Sequence, residues 1–128
     1  MRTHETSHFW VGFCSSQERL ASYLHEDYDR ADDDQPISEF AADQVLTWYD
    51  HDFLEVNFCD SANSIAELVA GCSYHEQYAE ELSRRAGHIG VPRFNTLIFI
   101  TDSEVPDPRP VQKPDISLYY LGTITYKI

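Results

Sequence analysis

The sequence predicts a single α+β domain, with a mostly antiparallel sheet of about four strands and three to four helices packed on one of its faces. Three observations predict it. Aromatic and β-branched runs stand at both ends and in the middle of the chain, serine-started segments of helical period lie between them, and the elements follow in the order β-α-(α)-β-α-α-β-β. The length of 128 residues suits one domain spanning 1–128. Residues 1–7 read as a loose segment, and the acidic loops are expected to lie outside the folded body.

"HFWVGFC" (8–14), bounded by polar residues, is the first strand. Three S-x-x-E matches then mark helix starts: Ser15 with Glu18, Ser64 with Glu67, and Ser73 with Glu76. In such capping boxes two side chains satisfy exposed backbone amides reciprocally. The first helix runs from Ser16 to Leu24 with Leu20, Tyr23 and Leu24 on one face. An acidic stretch follows and ends at Pro36. "SEFAADQVL" (38–46) is a short helix with Phe40 and Val45 inward, and "FLEVNF" (53–58) is a strand. Ile65, Leu68 and Val69 mark a helix that stops at Gly71. Ser73 opens a longer one, with Tyr74, Tyr78, Leu82 and Ala86 along a stripe and Gly87 or Gly90 as terminator. "FNTLIFI" (94–100) and "SLYYLGTITY" (117–126) are strands, the latter with Gly122 at a bulge or close contact. Between them "SEVPDPRPVQKP", with four prolines, is an extended surface loop.

Composition narrows the function classes. Twenty-two acids against nine bases give a formal charge of −13, which repels nucleic acid and anionic membranes and favours a monomer in isolation. A basic macromolecule is the natural partner of such a field; solubility alone is the competing explanation. Three cysteines form no CxxC pair, and no apolar run is long enough for a signal peptide or a bilayer span. A reduced, cytoplasmic compartment is the expectation. Aromatic residues, 13% of the chain, supply core area without staples.

No motif specifies catalysis, a cofactor or a metal. "DYDRADDD" begins like a calcium loop, but it carries Ala31 at position five, Asp32 where glycine is needed and Ser38 where a bidentate glutamate belongs. Asp50, His51 and Asp52 form the one local cluster for a small metal-binding or hydrolytic protein, although a capped turn accounts for the same residues. Cys72 is either a thiol activated at a helix start or a buried packing residue. Arg84, Arg85 and Arg93 suit a helix C-terminus and make no nucleic-acid footprint.

"HFWVGFC", "SEFAADQ", "WYDHDFLE", "ELVAGCSYHEQ", "FNTLIFI" and "YYLGTITY", in that order and spacing, resemble the bacterial immunity protein 22 family over about residues 8 to 126. The resemblance implies a protein encoded beside a polymorphic or contact-dependent toxin. Such a protein binds the cognate toxin's C-terminal domain, catalyses nothing, and protects the producing cell by occlusion. A nuclease or another enzyme with a basic groove is the expected target. Trp10, Trp48 and Phe53 fit the family pattern and suit either core or surface. The charged face expected to meet the toxin comprises Glu26, Asp27, Asp29, Asp32, Asp33 and Asp34 with Asp50, Asp52 and Glu55. Tyr23, Tyr28 and Tyr49 are the aromatic anchors.

Overall fold

The computed structural model describes residues 2–128, and its spine is strand β1 (His4–Cys14) at the centre of a five-stranded antiparallel sheet. In chain order follow α1 (Gln17–Leu24), α2 (Glu39–Asp43), β2 (Leu54–Phe58), α3 (Ile65–Val69), α4 (Ala79–Ile89), β3 (Thr96–Thr101), β4 (Val111–Gln112) and β5 (Ile116–Lys127). The strand order is β2-β3-β1-β5-β4. The α+β class holds, with a fifth strand. The addition is β4, two residues between Pro110 and Pro114 in the proline-rich loop, pairing Val111 with Leu118 and Gln112 with Ser117.

Two expectations about β1 are corrected. The first strand begins at His4, not at His8, because His4 to Ser7 pair with Lys127 to Ile124 of β5. The segment expected to be loose is therefore largely sheet. The helices also cover both faces rather than one. Trp10, Ile98, Ile100 and Leu118 point toward α1 and α2, where Leu20, Tyr23 and Phe40 meet them. Phe9, Val11, Leu97 and Phe99 point toward α3 and α4, where Leu68, Tyr78 and Leu82 meet them. An unbroken apolar run such as "FWV" marks a strand buried on both sides, since successive side chains leave a strand in opposite directions.

Gly122 does mark a bulge. His8 pairs with Thr123 but Trp10 with Tyr120, so Leu121 and Gly122 stand opposite Phe9 alone, and Gly122 takes φ of 90°. The extra residue shifts the alternation by one. Tyr119 and Leu121 before it, and Ile124 and Tyr126 after it, thus all reach the α3–α4 layer. Arg85 Nη1 donates to the Leu121 and Thr123 carbonyls at 2.9 and 2.8 Å, pinning the bulge.

Serines start three helices, one residue off the expected pattern in the first case. Ser16, not Ser15, caps α1 by accepting from Arg19 N; Ser38 and Ser64 accept from Ala41 N and Glu67 N. Glu67 reaches back to Asn63 N at 2.6 Å, a variant of the expected box. The Ser73 box does not form. Ser73 N donates to Glu55 at 2.8 Å, Tyr74 turns left-handed at φ 61°, and α4 begins only at Ala79. Tyr74 is therefore exposed, whereas Tyr78, Leu82 and Ala86 form the buried stripe as expected. Gly90, at φ 83°, ends that helix; Gly87 lies inside it.

Val45 also departs from its expected inward place. It stands at φ 60° just beyond α2, with its N–H on Ala42 O and that of Leu46 on Ala41 O, a Schellman closure. Val45 consequently faces solvent, and Leu46 packs on the core in its stead.

Candidate functional site

The acidic stretch is an ordered loop closed at its neck. Asp27 N donates to Ile37 O at 2.8 Å, which brings the ends of an eleven-residue excursion together in the manner of an Ω-loop. Two of its aspartates shape it from within: Asp27 Oδ1 accepts from Asp29 N, and Asp32 Oδ1 from Asp34 N, both at 2.9 Å. Asp27, Asp29, Asp32, Asp33 and Asp34 are all exposed. Having these acids as turn formers leaves their second oxygens and their charge directed to water.

Glu26 is the hub that fastens this loop to the body. Its side chain is only 8% exposed, and it accepts from Tyr28 Oη at 2.5 Å, His51 Nδ1 at 2.8 Å and Tyr49 Oη at 3.0 Å. Burial alone would raise its pKa; the hydrogen bonds from Tyr28, His51 and Tyr49 outweigh that and hold it below the usual carboxylate range. The same Glu26 contact raises the pKa of His51. Tyr49, 1% exposed, is a buried strut and not the surface anchor that was expected; Tyr23, fully buried on Asp43, is likewise core. Tyr28 is 66% exposed at the rim, its hydroxyl fixed and its ring free.

A pH prediction follows from the two shifts. The raised His51 stabilises the hub fully below its ordinary 6.5 and loses that contribution as pH climbs through its folded value. The lowered Glu26 contributes above its ordinary 4.5 and loses that as pH falls through its own folded value. Both are intact between those two ordinary values. An NMR titration is expected to place His51 above 6.5 in the native protein, and Glu26→Gln is expected to bring it back. An unshifted His51 would show that the pair does not form in solution.

The neighbouring "DHD" residues diverge. Asp50 caps the 3-10 turn His51–Phe53 by accepting from Asp52 N at 3.0 Å, and its own N–H donates to Glu104 at 2.7 Å. His51 turns to Glu26, and Asp52 is exposed. Among the described residues no three His, Cys, Asp or Glu side chains converge as metal ligands would. The capped turn is what this motif builds. Cys72 is buried, and burial together with Glu55 pushes its thiol up to about 12, so it is not an activated nucleophile.

Glu55 is separated from the loop by the sheet. It alternates with Leu54 and Val56 of β2, which pack on the α1–α2 side, and so points to the other layer, where it holds Ser73 N. There, with Glu5, Asp52, Phe53, Tyr74 and Tyr126, it lines a small cleft. The three arginines are committed within the fold: Arg84 and Arg85 to Glu81, Arg85 also to the bulge, and Arg93 over the Phe13 ring at 3.7 Å.

Sequence reasoning left undecided whether Trp48 and Phe53 are core or surface. Both are exposed, at 53% and 37%: Phe53 lines the Glu55 cleft, whereas Trp48 directly precedes Tyr49, which bonds to Glu26. Neighbours on an extended segment point apart, but Tyr49 was itself expected at the surface, so the sequence offered no signal that it is Trp48 that faces out.

A family model described as Immunity protein 22 matches residues 8–127. No curated protein and no solved structure matched the chain. No helix among the described residues is long and apolar enough to cross a membrane.

Proposed function

The chain belongs to the immunity protein 22 family, and from that premise we propose that it neutralises the C-terminal domain of a cognate toxin by binding over a basic groove, without turnover. The observation that carries the reading is the Glu26 hub. It fixes an otherwise self-repelling loop in place and holds Tyr28 upright among exposed aspartates. A rigid aromatic in an anionic ring suits a cationic partner, because the ring supplies contact area and the charges supply steering. The toxin class that fits this surface best is a nuclease, whose own groove must be basic to hold phosphates. An interface of about 800 Å² per partner would take roughly a tenth of the 7045 Å² accessible surface, within reach of the loop, Trp48, Asp50 and Asp52. The compartment proposed is the cytoplasm of the producing cell, and the free protein is proposed to be a monomer.

Two experiments test this. Expression of the neighbouring toxin domain should arrest cells unless this protein is co-expressed; absence of rescue overturns the reading. Asp32, Asp33 and Asp34 changed together to Asn should slow association about tenfold at low salt, with a flatter salt dependence, since steering contributes tenfold or more. Surface plasmon resonance across a salt series measures it. An unchanged on-rate takes this loop out of the interface.

A further inference from the structure

The outer edge of β2 carries no further strand, and it follows directly on the acidic turn of Asp50 and Asp52. Beyond β3 the ladder continues for one step, with Cys59 N donating to Asn95 O at 2.8 Å. Pairs that exchange hydrogen bonds alternate with pairs that do not. Glu55 and Asn57, opposite Phe99 and Leu97, therefore turn their backbone groups inward to β3. Those of Val56 and Phe58 turn outward. Among the described residues, no hydrogen bond takes the Val56 or Phe58 amide. Leu54 N–H is already bonded to His51 O, so the open stretch starts at Val56.

This edge has an apolar gutter beside it. Val56 and Phe58 of β2 and Leu20 and Leu24 of α1 line a groove along one side of the strand. A strand added here would meet backbone donors and acceptors at its edge and a place for alternate apolar side chains in the groove. The charge around it selects the occupant. From Asp50 to Asn63 the chain carries Asp50, Asp52, Glu55 and Asp60 and no lysine or arginine. A second copy would oppose these acids with the same acids in a molecule of charge −13. An extended segment rich in lysine or arginine would complement them.

We propose that the outer edge of β2 receives an extended, basic segment of the toxin as a sixth strand, with the segment's apolar residues entering the α1–β2 groove. The proposal rests on the immunity reading and adds the mode of docking to it. The test is amide-resolved hydrogen exchange by NMR on the full chain, alone and with the neighbouring toxin domain. The Val56 and Phe58 amides should exchange rapidly in the free protein and at least about tenfold more slowly in the complex, as amides gaining a hydrogen bond do. Val56→Pro removes one outward N–H while sparing the ladder to β3, and should weaken binding by about tenfold, the worth of one such bond. A complex that forms with both amides unchanged overturns strand addition and leaves the immunity reading standing. No complex at all overturns both. Protection that grows with the concentration of the free protein assigns the edge to a second copy and overturns the proposal.

Discussion

Gly12→Ala is expected to destabilise the protein by about 3 kcal/mol or more, since overpacking a well-filled site costs 1–3 kcal/mol and occasionally exceeds it. A Cβ on Gly12 would lie 1.8 Å from the carbonyl oxygen of Ser117 and 2.8 Å from its carbon. Both are backbone atoms, so no side chain can rotate aside. Relief requires β1 and β5 to part, and this pairing runs from His4–Lys127 to Cys14–Ile116, the longest in the sheet. Thermal unfolding should show a fall in Tm of about 10 °C for a domain of this size. Gly87→Ala is the internal control. Nothing lies within 4 Å of its added Cβ, and it sits in α4, where alanine is favoured over glycine by up to about 1 kcal/mol. Its Tm should rise. Equal effects at the two positions would mean that the close approach at Gly12 does not exist in solution.

The second large effect concerns binding. Changing Tyr28 and Trp48 together to Ala should weaken toxin binding by about 2 kcal/mol or more, roughly thirtyfold, because exposed aromatics that become buried on association dominate interface energetics. Both rings are more than half exposed in the free protein, so stability should fall by no more than about 1 kcal/mol, the worth of the Tyr28–Glu26 hydrogen bond that is lost. Isothermal titration calorimetry with the toxin domain and a parallel melting curve separate the two. Undiminished affinity would move the interface off this face. Tyr49→Phe should behave in the opposite way, since its hydroxyl joins Glu26 and Ser38 inside the body. It should lower stability by about 1 kcal/mol through a lost buried hydrogen bond and touch binding only through the hub.

The elements themselves were legible because their signals are local. Apolar runs marked β1, β3 and β5, serine capping boxes marked the starts of α1 and α3 to within a residue, and the pattern of "SEFAADQVL" marked α2. Ser73 misled because the pattern S-x-x-E is indifferent to what else competes for its amide; here Glu55, eighteen residues earlier, takes it. Val45 misled because a helical period assumes the helix continues, whereas the chain closes with a left-handed turn at that residue. The number of covered faces was readable in "FWV" but outweighed by the habit of antiparallel sheets to keep one side wet.

The candidate face was legible as composition and not as architecture. Six carboxylates between residues 25 and 34 announce a negative surface. Nothing local to that stretch says that Glu26 turns inward while its neighbours turn outward. That division depends on Tyr49 and His51, more than twenty positions away, arriving beside it through the packing of α2. The same non-local placement puts Glu55 on the far side of the sheet.

The two ends of the sheet are unlike, and this limits what the molecule can build. At the β4 end the last strand is two residues long, between Pro110 and Pro114, and proline has no N–H to offer a newcomer. Polymerisation by successive strand pairing needs two competent ends on every unit. Beyond the short β4, Arg85 holds the Leu121 and Thr123 carbonyls of β5 and Gln77 holds the Lys127 carbonyl and amide, so a strand arriving on that side would have to displace them, and growth through both sides of one unit is disfavoured.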